Sequence, residues 1–266
     1  PDTLYRSVEH GDNWCLTWAA DDSLITVMDD GNWLARAEGG YHNHLYRITG
    51  GPNGFQRLSY FDFVQHGQDN AAAPDNYLYI YGPEGARAHH LLLARVDKQW
   101  LGQRDAWQYF VRYDDGAVWS ENIEDRGPVM ILPEKNAHGE YFGCYSWLPS
   151  VVWNEGLGLY IMVNGGTYAG HGLTNSDEDY YHKWMHTETG SLGFWYAETP
   201  YGPWRPFYYN DRWIVDDPDN RTYQPKLSPK WISEDGRQMV LIWSDAMKDA
   251  QGRSHTVNYR WNQMRI

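Results

Sequence analysis

Residues Gly11 to Gly31 read GDNWCLTWAADDSLITVMDDG, and this stretch decides the fold more than any other. Its second half, SLITVMDD from Ser23 to Asp30, is a short apolar run without helical period, and an aromatic run precedes it. Two such runs separated by a turn rich in Asp are typical of antiparallel strands joined in a hairpin. The stretch therefore predicts a two-strand unit with polar residues at its open end.

Two later stretches repeat this arrangement. They read YSWLPSVVWNEGLGLYIMV at residues 145–163 and YQPKLSPKWISEDGRQMVLIW at residues 223–243. Each has a strand with aromatic residues or proline, a turn with Asp or Gly, and a second apolar strand. Repeated two-strand units are typical of a radial β-repeat, of which the propeller is the commonest form. We therefore predict an all-β, five-bladed β-propeller, with a β-sandwich as the alternative.

The predicted propeller occupies residues 1–266 as a single domain, because no linker or change of composition divides the chain. Two segments fit strands poorly, Gln99–Trp107 and Asn175–His186, and we predict a helical turn or a long loop in each. The blades are expected near residues 10–50, 55–100, 105–135, 142–210 and 220–266.

The net charge of the chain argues against some classes of binding partner. Its 266 residues carry 22 Lys and Arg against 35 Asp and Glu, a formal charge of −13. Nucleic acids and anionic membranes are bound through basic side chains, so the acidic balance argues against both. Cys15 and Cys144 are too few for a disulfide scaffold or a zinc module, and we expect both to be buried thiols, with a single disulfide as the alternative.

The first hairpin also holds the densest group of carboxylates. Asp12 opens its first strand, while Asp29 and Asp30 close the second, so a hairpin brings them to one rim. Glycosidic cleavage needs one carboxyl group that donates a proton and one carboxylate that activates water or attacks the sugar. We predict Asp12 as the acid and Asp30 as the base or nucleophile. The alternative is that these residues only form turns, for which Asp, Asn and Gly are common.

Several other residues are predicted to contact the substrate. Trp14 and Trp33 offer flat apolar faces for sugar rings, and Asn13 and Asp29 flank the catalytic pair. The later repeats begin where Asp12-Asn13-Trp14 begins the first, so their opening residues are expected to line the same central funnel. These residues are Tyr145, Trp147, Tyr223 and Gln224.

Histidines form a second group of candidates. His42 and His44 share one face of a strand because they are two residues apart, and His89 lies further along the chain. We predict that all three contact the substrate. Three other roles stay open for them: structural hydrogen bonds, metal binding, or acid and base work in uronate elimination. No stretch has the spacing of a metal site, so we predict neither a metal nor a cofactor.

The chain also resembles a bacterial propeller family, formerly of unknown function, that includes endo-D-arabinanases. The resemblance covers about residues 10–245 and rests on the three repeats above together with LARVDKQWLGQRDAWQYF at 93–110 and YGPWRPFYY at 201–209. It implies a five-bladed propeller that hydrolyses arabinofuranosyl linkages. The aspartates of its catalytic pair fall on Asp12 and Asp30, although Asp29 stands where the family has glycine.

The sequence therefore predicts a glycoside hydrolase that acts on a polysaccharide or oligosaccharide. Two alternatives stay open: a polysaccharide lyase that uses histidine and tyrosine, and a carbohydrate-binding propeller without catalysis. Pro1 opens the chain as a protein trimmed of its signal peptide would, and the composition is acidic. We accordingly expect a secreted or periplasmic location.

Overall fold

The computed structural model describes residues 3–32, 41–59, 75–84, 90–133, 149–165, 167–168, 189–216, 222–245 and 259–266. Within these ranges the chain is built from β-strands and three short 3-10 turns, which confirms the predicted all-β class. The strands are β1 (Tyr5–Trp18), β2 (Leu24–Asn32), β3 (Tyr41–Thr49), β4 (Gln56–Ser59), β5 (Tyr77–Pro83), β6 (His90–Asp97), β7 (Gln108–Tyr113), β8 (Ala117–Ser120), β9 (Met130–Ile131), β10 (Ser150–Asn154), β11 (Leu159–Asn164), β12 (Thr167–Tyr168), β13 (Thr189–Ala197), β14 (Arg205–Trp213), β15 (Thr222–Ile232), β16 (Met239–Asp245) and β17 (Arg260–Arg265). The 3-10 turns are Lys98–Trp100, Arg104–Ala106 and Ile123–Asp125.

The described strands form three antiparallel sheets. Sheet A has the order β15-β16-β17-β1-β2-β3-β4, sheet B the order β5-β6-β7-β8, and sheet C contains β10, β11, β13 and β14 in that spatial order. The short strands β9 and β12 pair with β6 and β13. Sheet A is therefore two four-stranded meanders that share β1, while sheets B and C are one meander each.

Strand β1 joins the two halves of sheet A because it pairs on both sides. Its first residues pair with β17, with Tyr5 opposite Gln263, and from His10 onward it pairs with β2. The side chain of Arg6 donates a hydrogen bond to Asn262, its partner across the ladder, so the junction is tied by side chains as well as by backbone. The first and last described strands of the chain are thus neighbours, as in a propeller whose final blade is completed by the N-terminal strand.

Local side-chain chemistry explains the hairpin turns. In the first hairpin Asp21 accepts hydrogen bonds from the backbone N–H and the hydroxyl of Ser23, and Asp22 adopts a left-handed φ of 65°. In the β15–β16 hairpin Asp235 accepts hydrogen bonds from the Ser233 hydroxyl and a backbone N–H, and Gly236 supplies the left-handed residue. Short polar side chains that bond their own backbone stabilise such turns.

Two hairpin turns also pack directly on each other. The side-chain amide of Asn154, at the end of β10, donates to the carbonyl oxygen of Gly236 at 2.8 Å. A Cβ at Gly156 would lie 2.3 Å from the Gly236 backbone nitrogen, so only glycine allows this approach. The contact holds the turn ends of sheets A and C side by side.

Apolar side chains fill the spaces between neighbouring meanders. One cluster lies between the two halves of sheet A, a second between sheets A and C, and a third joins sheets B and C. Strand β16 is buried at every residue because it is covered on both faces. Large members are Trp14, Met28, Tyr46, Trp231 and Trp261 in the first cluster, Phe194, Leu241 and Trp243 in the second, and Leu91, Met162 and Trp195 in the third.

The predicted blade boundaries hold only in part. The segment around Gln99–Trp107 does contain 3-10 turns, but it connects two strands of sheet B, since Ala94 pairs with Tyr109 across it. The predicted boundary between a second blade at 55–100 and a third at 105–135 is therefore wrong. The described residues form four meanders, so the count of five is not confirmed. The segment Asn175–His186 lies outside the described residues.

Candidate functional site

The predicted carboxylate pair lies where β1 and β2 meet. Asp12 stands directly opposite Asp29 in the antiparallel register, as the hairpin pattern predicted. Asp30 is the next residue of β2. Strand β3 pairs Asn43 with Asp29 and Tyr41 with Gly31, so His42 lies across the ladder from Asp30. Three aspartates and one histidine therefore occupy strand positions at one end of the first hairpin.

Two glycines let the strands approach closely beside Asp12. A Cβ at Gly31 would lie 2.2 Å from the carbonyl oxygen of His10, and one at Gly11 would lie 2.7 Å from the Met28 side chain. Neither position has room for a larger residue. The glycines that frame the Asp12 motif in the sequence are therefore required by packing at the site.

Asp12 is buried, with 4% of its surface exposed. Its neighbour Trp14 is fully buried, and the indole N–H donates to the Ser244 hydroxyl at 3.0 Å. That hydroxyl donates in turn to the carbonyl oxygen of Gly11 at 3.0 Å. The first hairpin is thereby fixed to the end of β16 within one residue of Asp12.

Burial corrects two predictions from the sequence. Trp14 has no exposed face, and its ring packs against Trp261 at a centroid distance of 5.3 Å, so it supports the site from behind and does not stack on a sugar. Cys15 is exposed, not buried, because it lies on the opposite side of β1 from the core residue Trp14. Its thiol donates to the side-chain oxygen of Asn13 at 3.4 Å.

The first strand of the β15–β16 hairpin has the same local geometry as β1. Asn13 and Gln224 are both left-handed, with φ of 52° and 51°. In both strands the register shifts there, from Asp12 to Cys15 in β1 and from Tyr223 to Lys226 in β15. The backbones of the two strands are therefore equivalent here, as predicted. Tyr223 takes the position of Asp12, and Lys226 takes the position of Cys15.

Gln224 is a strong candidate for a ligand-binding side chain. It is 7% exposed, and among the described residues its Oε1 has no hydrogen-bond partner. A buried amide oxygen without a partner is unfavourable by about 1–3 kcal/mol, so native structures keep one mainly where a ligand or an ion completes it. Its left-handed backbone is a second unfavourable feature at the same residue.

Lys226 is a site residue that the sequence did not reveal. It is 4% exposed, and burial lowers the pKa of its ammonium group, an effect that electrostatic interactions with Cys15 and Asp12 oppose. A buried ammonium group is rare away from functional sites unless it is paired. The position-by-position match between residues 12–15 and 223–226 was the signal that could have pointed to it.

His44 is the described member of the histidine group. It pairs with Met28 across the β2–β3 ladder, and partial burial lowers the pKa of its imidazole. Its ring lies 4.8 Å from the ring of Tyr46, which is fully buried with its hydroxyl directed to the Met28 sulfur. Tyr46 therefore cannot reach a substrate as the partner of His44 in elimination chemistry.

Asp245, at the end of β16, is a second buried carboxyl group of sheet A. Burial raises its pKa to about 7, with Arg6 lowering it and Asp216 raising it by smaller amounts. The Arg6 guanidinium donates to Asp245 at 3.3 Å and also bonds Asp216 and Asn262. Asp245 occupies the strand position in β16 that Asp30 occupies in β2.

The remaining predicted site residues are described less fully. For Asp29, Asp30, His42 and Tyr223 the structure gives the strand position only, and Trp33, His89, Tyr145 and Trp147 lie outside the described residues, as does Cys144. In the part of the chain that is described, no three His, Cys, Asp or Glu side chains group as a metal site would require. No helix in the same part has the length and apolar character needed to cross a membrane.

Comparison with known proteins gives only distant likenesses. No family model and no curated protein matches the chain. The chain is similar to a Bacteroides ovatus protein provisionally assigned as a hydrolase, at 14% identity and a TM-score of 0.45, over 95% of this chain and 60% of that one. An α-L-arabinofuranosidase of Podospora anserina, solved with cellotriose, shares 9% identity with a TM-score of 0.44, over 98% and 73%.

A third similar structure is a family 43 glycoside hydrolase protein of Bacillus licheniformis, at 10% identity and a TM-score of 0.41, over 97% of this chain and 53% of that one. The chain thus spans little more than half the length of the Bacteroides and Bacillus proteins. The family resemblance found in the sequence stays a prediction.

Proposed function

We propose that the protein is a glycoside hydrolase that cuts a polysaccharide with the carboxyl groups of Asp12 and Asp30, on a five-bladed propeller. The observation that carries the proposal is the buried position of Asp12 directly opposite Asp29 and one residue from Asp30. Glycosidic cleavage needs two carboxyl groups, and here two adjacent strands supply them. The arabinofuranosyl linkage rests on the sequence resemblance alone.

The surroundings of Asp12 suit this chemistry. A carboxylate that is removed from water acts more strongly on a nearby sugar carbon than one at an open surface, because fewer water dipoles screen its charge. We assign the binding of sugar hydroxyl groups to the amides of Asn13 and Gln224, and the buried Gln224 Oε1, which has no hydrogen-bond partner among the described residues, supports this role. Because such a substrate lies outside the cytoplasm, we also propose a secreted or periplasmic location.

The first experiment is an incubation of the purified protein with arabinans and with uronate-containing polysaccharides. Reducing ends and the ultraviolet absorbance of unsaturated uronyl products are recorded together. We expect reducing ends without absorbance from at least one arabinan. Absorbance that rises with the reducing ends would establish a lyase and overturn the assignment, and glycan binding without any product would establish a carbohydrate-binding protein.

Substitution then tests the residues. Asp12→Asn and Asp30→Asn should each lower kcat/KM by about 10²–10⁴-fold, because each removes a proton donor or acceptor from the reaction. Asp114→Asn, an exposed carboxylate in the turn between β7 and β8, is the matched control and should retain full activity. A fully active Asp12→Asn protein would end the assignment.

A further inference from the structure

A cavity of about 510 Å³ lies between β1, β10 and β15 at the end of these strands where their hairpins turn. Its walls come from the last residues of β1, from β10 and the turn after it, and from the second half of β15 with its turn. Asp12 lies six residues before Trp18, the last residue of β1, which corresponds to roughly 20 Å of extended strand. Among the described residues that line the cavity, none belongs to 12–15, 29–31 or 223–226. This turn-end cavity is therefore separate from the carboxylate site.

Two tryptophans line the turn-end cavity, and a described contact orients each ring. The indole N–H of Trp18 donates to the Asp22 carboxylate at 3.1 Å, and Trp18 is 39% exposed. Trp153 is partly buried, and its ring packs on Tyr160 at a centroid distance of 4.9 Å. Aromatic rings that are already ordered lose little conformational entropy when a ligand packs on them. The volume also falls in the range of about 300–1,000 Å³ that is usual for small-molecule sites.

The two turns beside the cavity contribute its carboxylates. Glu155 follows β10, Glu234 lies in the turn after β15, and both line the cavity and are exposed. Neither forms an ion pair with another described residue. The buried amide of Asn154 links the turns through its hydrogen bond to Gly236. A Cβ on Gly156 would lie 2.5 Å from the Glu234 carbonyl oxygen, so the two turns are in direct backbone contact.

Lys230 is the basic residue among those described in the cavity wall, and Asp22 compensates its charge. The ammonium group of Lys230 lies 2.9 Å from the Asp22 carboxylate and also donates to the backbone carbonyl oxygen of Asp22. The described lining therefore presents two uncompensated carboxylates and no uncompensated cation. Such a lining repels an anionic ligand, whereas neutral hydroxyl groups can donate strong hydrogen bonds to its carboxylates.

We propose that the turn-end cavity is a second binding site for a neutral carbohydrate, remote from the catalytic carboxylates. Apolar faces of the sugar rings pack on Trp18 and Trp153, and sugar hydroxyl groups donate to Glu155 and Glu234. Aromatic walls with a few polar groups are typical of sites for small organic ligands. The choice of a sugar rests on the proposed function, because the ligand is then a second stretch of the same glycan. A polysaccharide bound there stays attached to the protein between cuts.

NMR spectroscopy of the ¹⁵N-labelled protein tests binding at this place, because each tryptophan gives its own indole N–H signal. Arabinotriose, xylotriose and cellotriose are the neutral probes. At least one of them should shift the Trp18 signal, with a Kd of about 1 mM or tighter. The loss of one signal in Trp18→Ala assigns that signal to Trp18.

The same variants measure what the aromatic wall contributes. Trp18→Ala should weaken binding of the trisaccharide by about tenfold or more, followed at the Trp153 signal. Trp100→Ala is the matched control, because Trp100 is 45% exposed in a 3-10 turn of sheet B and does not line the cavity. It should bind the trisaccharide as the wild type does.

Substitution of the carboxylates tests the polar part of the site. Glu155→Gln and Glu234→Gln keep the size of the side chain and remove its charge. Each should weaken binding by about threefold or more, because a hydrogen bond to a charged acceptor is stronger than one to a neutral acceptor. Both residues are exposed, so both variants should keep the wild-type Tm. Glu121→Gln, exposed and outside the cavity, is the control.

Three results would overturn the proposal. If none of the three trisaccharides shifts the Trp18 signal, the cavity does not bind neutral carbohydrate. If Trp18→Ala and Trp100→Ala weaken binding equally, the trisaccharide binds elsewhere. If only spermidine or trigalacturonate shifts the Trp18 signal, the cavity recognises a charged ligand.

The binding measurement and the cleavage assay fail independently of each other. A trisaccharide that shifts the Trp18 signal in a protein that releases no reducing ends would support the turn-end site and reject only the proposed hydrolase. Reducing ends without a shift of the Trp18 signal would support the hydrolase and reject the second site.

Discussion

The β1–β2 and β15–β16 hairpins of sheet A share a backbone and differ in chemistry. Both carry a left-handed residue at the same strand position, Asn13 or Gln224, and both shift register beside it. The first hairpin places Asp12 before this residue, and the second places Lys226 after it. The difference shows that the same distorted strand geometry carries different chemistry in the two repeats, because Asp12 and Cys15 of the first correspond to Tyr223 and Lys226 of the second.

The polar residues on the second strand of each hairpin differ as well. Where β2 has Asp29 and Asp30, β16 has Ser244 and Asp245. Ser244 anchors Trp14, and Asp245 is buried against Arg6. The last hairpin thus carries structural polar groups at the positions where the first carries the proposed catalytic ones.

The largest effect is expected from the residue that anchors the first hairpin to the last. Trp14→Ala should lower the free energy of unfolding by about 3–5 kcal/mol, because it empties a fully buried site and removes the hydrogen bond to Ser244. Urea unfolding followed by fluorescence measures this. Trp18→Ala, at 39% exposure in the same strand, is the control and should cost less than about 1 kcal/mol. If both variants lose the same free energy of unfolding, the packing of the two hairpins does not depend on the contact between Trp14 and Ser244.

The next effect concerns the buried carboxyl group of β16. The pKa of Asp245 is raised from 3.8 to about 7, so the folded state prefers the protonated form. Its contribution to stability is complete below about pH 4 and is lost as the pH rises towards 7, by an amount on the order of a few kcal/mol. Unfolding of the wild type and of Asp245→Asn between pH 4 and 8 measures it.

The variant should show a flatter pH dependence than the wild type, with the two curves diverging as the pH rises. Arg6 keeps Asp216 and Asn262 as partners in the variant, so its charge stays compensated. Parallel curves would show that Asp245 titrates in the folded protein as it does in the unfolded chain.

The smallest effect tests the equivalence of the two bulges. At a φ near 50°, glycine is favoured over alanine by about 1 kcal/mol. Asn13→Gly should therefore be more stable than Asn13→Ala, and Gln224→Gly more stable than Gln224→Ala by a similar amount. Thr17, in the regular part of β1, is the control, because there alanine should be the more stable of the pair. Unequal differences at residues 13 and 224 would mean that the bulges are not equivalent.

The sequence was sufficient for features that depend on neighbouring residues. The short apolar runs predicted the hairpins, and the polar residues at their ends predicted that Asp12 faces Asp29 or Asp30; the register places it opposite Asp29. The Gln99–Trp107 segment was also recognised as a turn. Its place inside sheet B was not, because a connection between two strands of one sheet has the same composition as one between two sheets.

Other features depend on residues far away in the chain. Burial of Lys226 follows from the packing of β15 against β1, and the exposure of Cys15 follows from the side of β1 on which it lies. A lysine in an isolated strand pattern is typical of a solvated face. The repeat itself was visible in the sequence, but it matches Lys226 with Cys15, and the burial of the first and the exposure of the second do not follow from that match.

The hydrogen bonds that complete the site have a consequence for the order in which the protein is made. Trp14 and Ser244 are 230 residues apart, and Arg6 and Asn262 are 256 residues apart. During synthesis the edge of β1 that pairs with β17 therefore stays unpaired until β16 and β17 have left the ribosome. A nascent chain that stops before residue 239 would therefore hold Trp14 without the Ser244 hydroxyl that links it to Gly11.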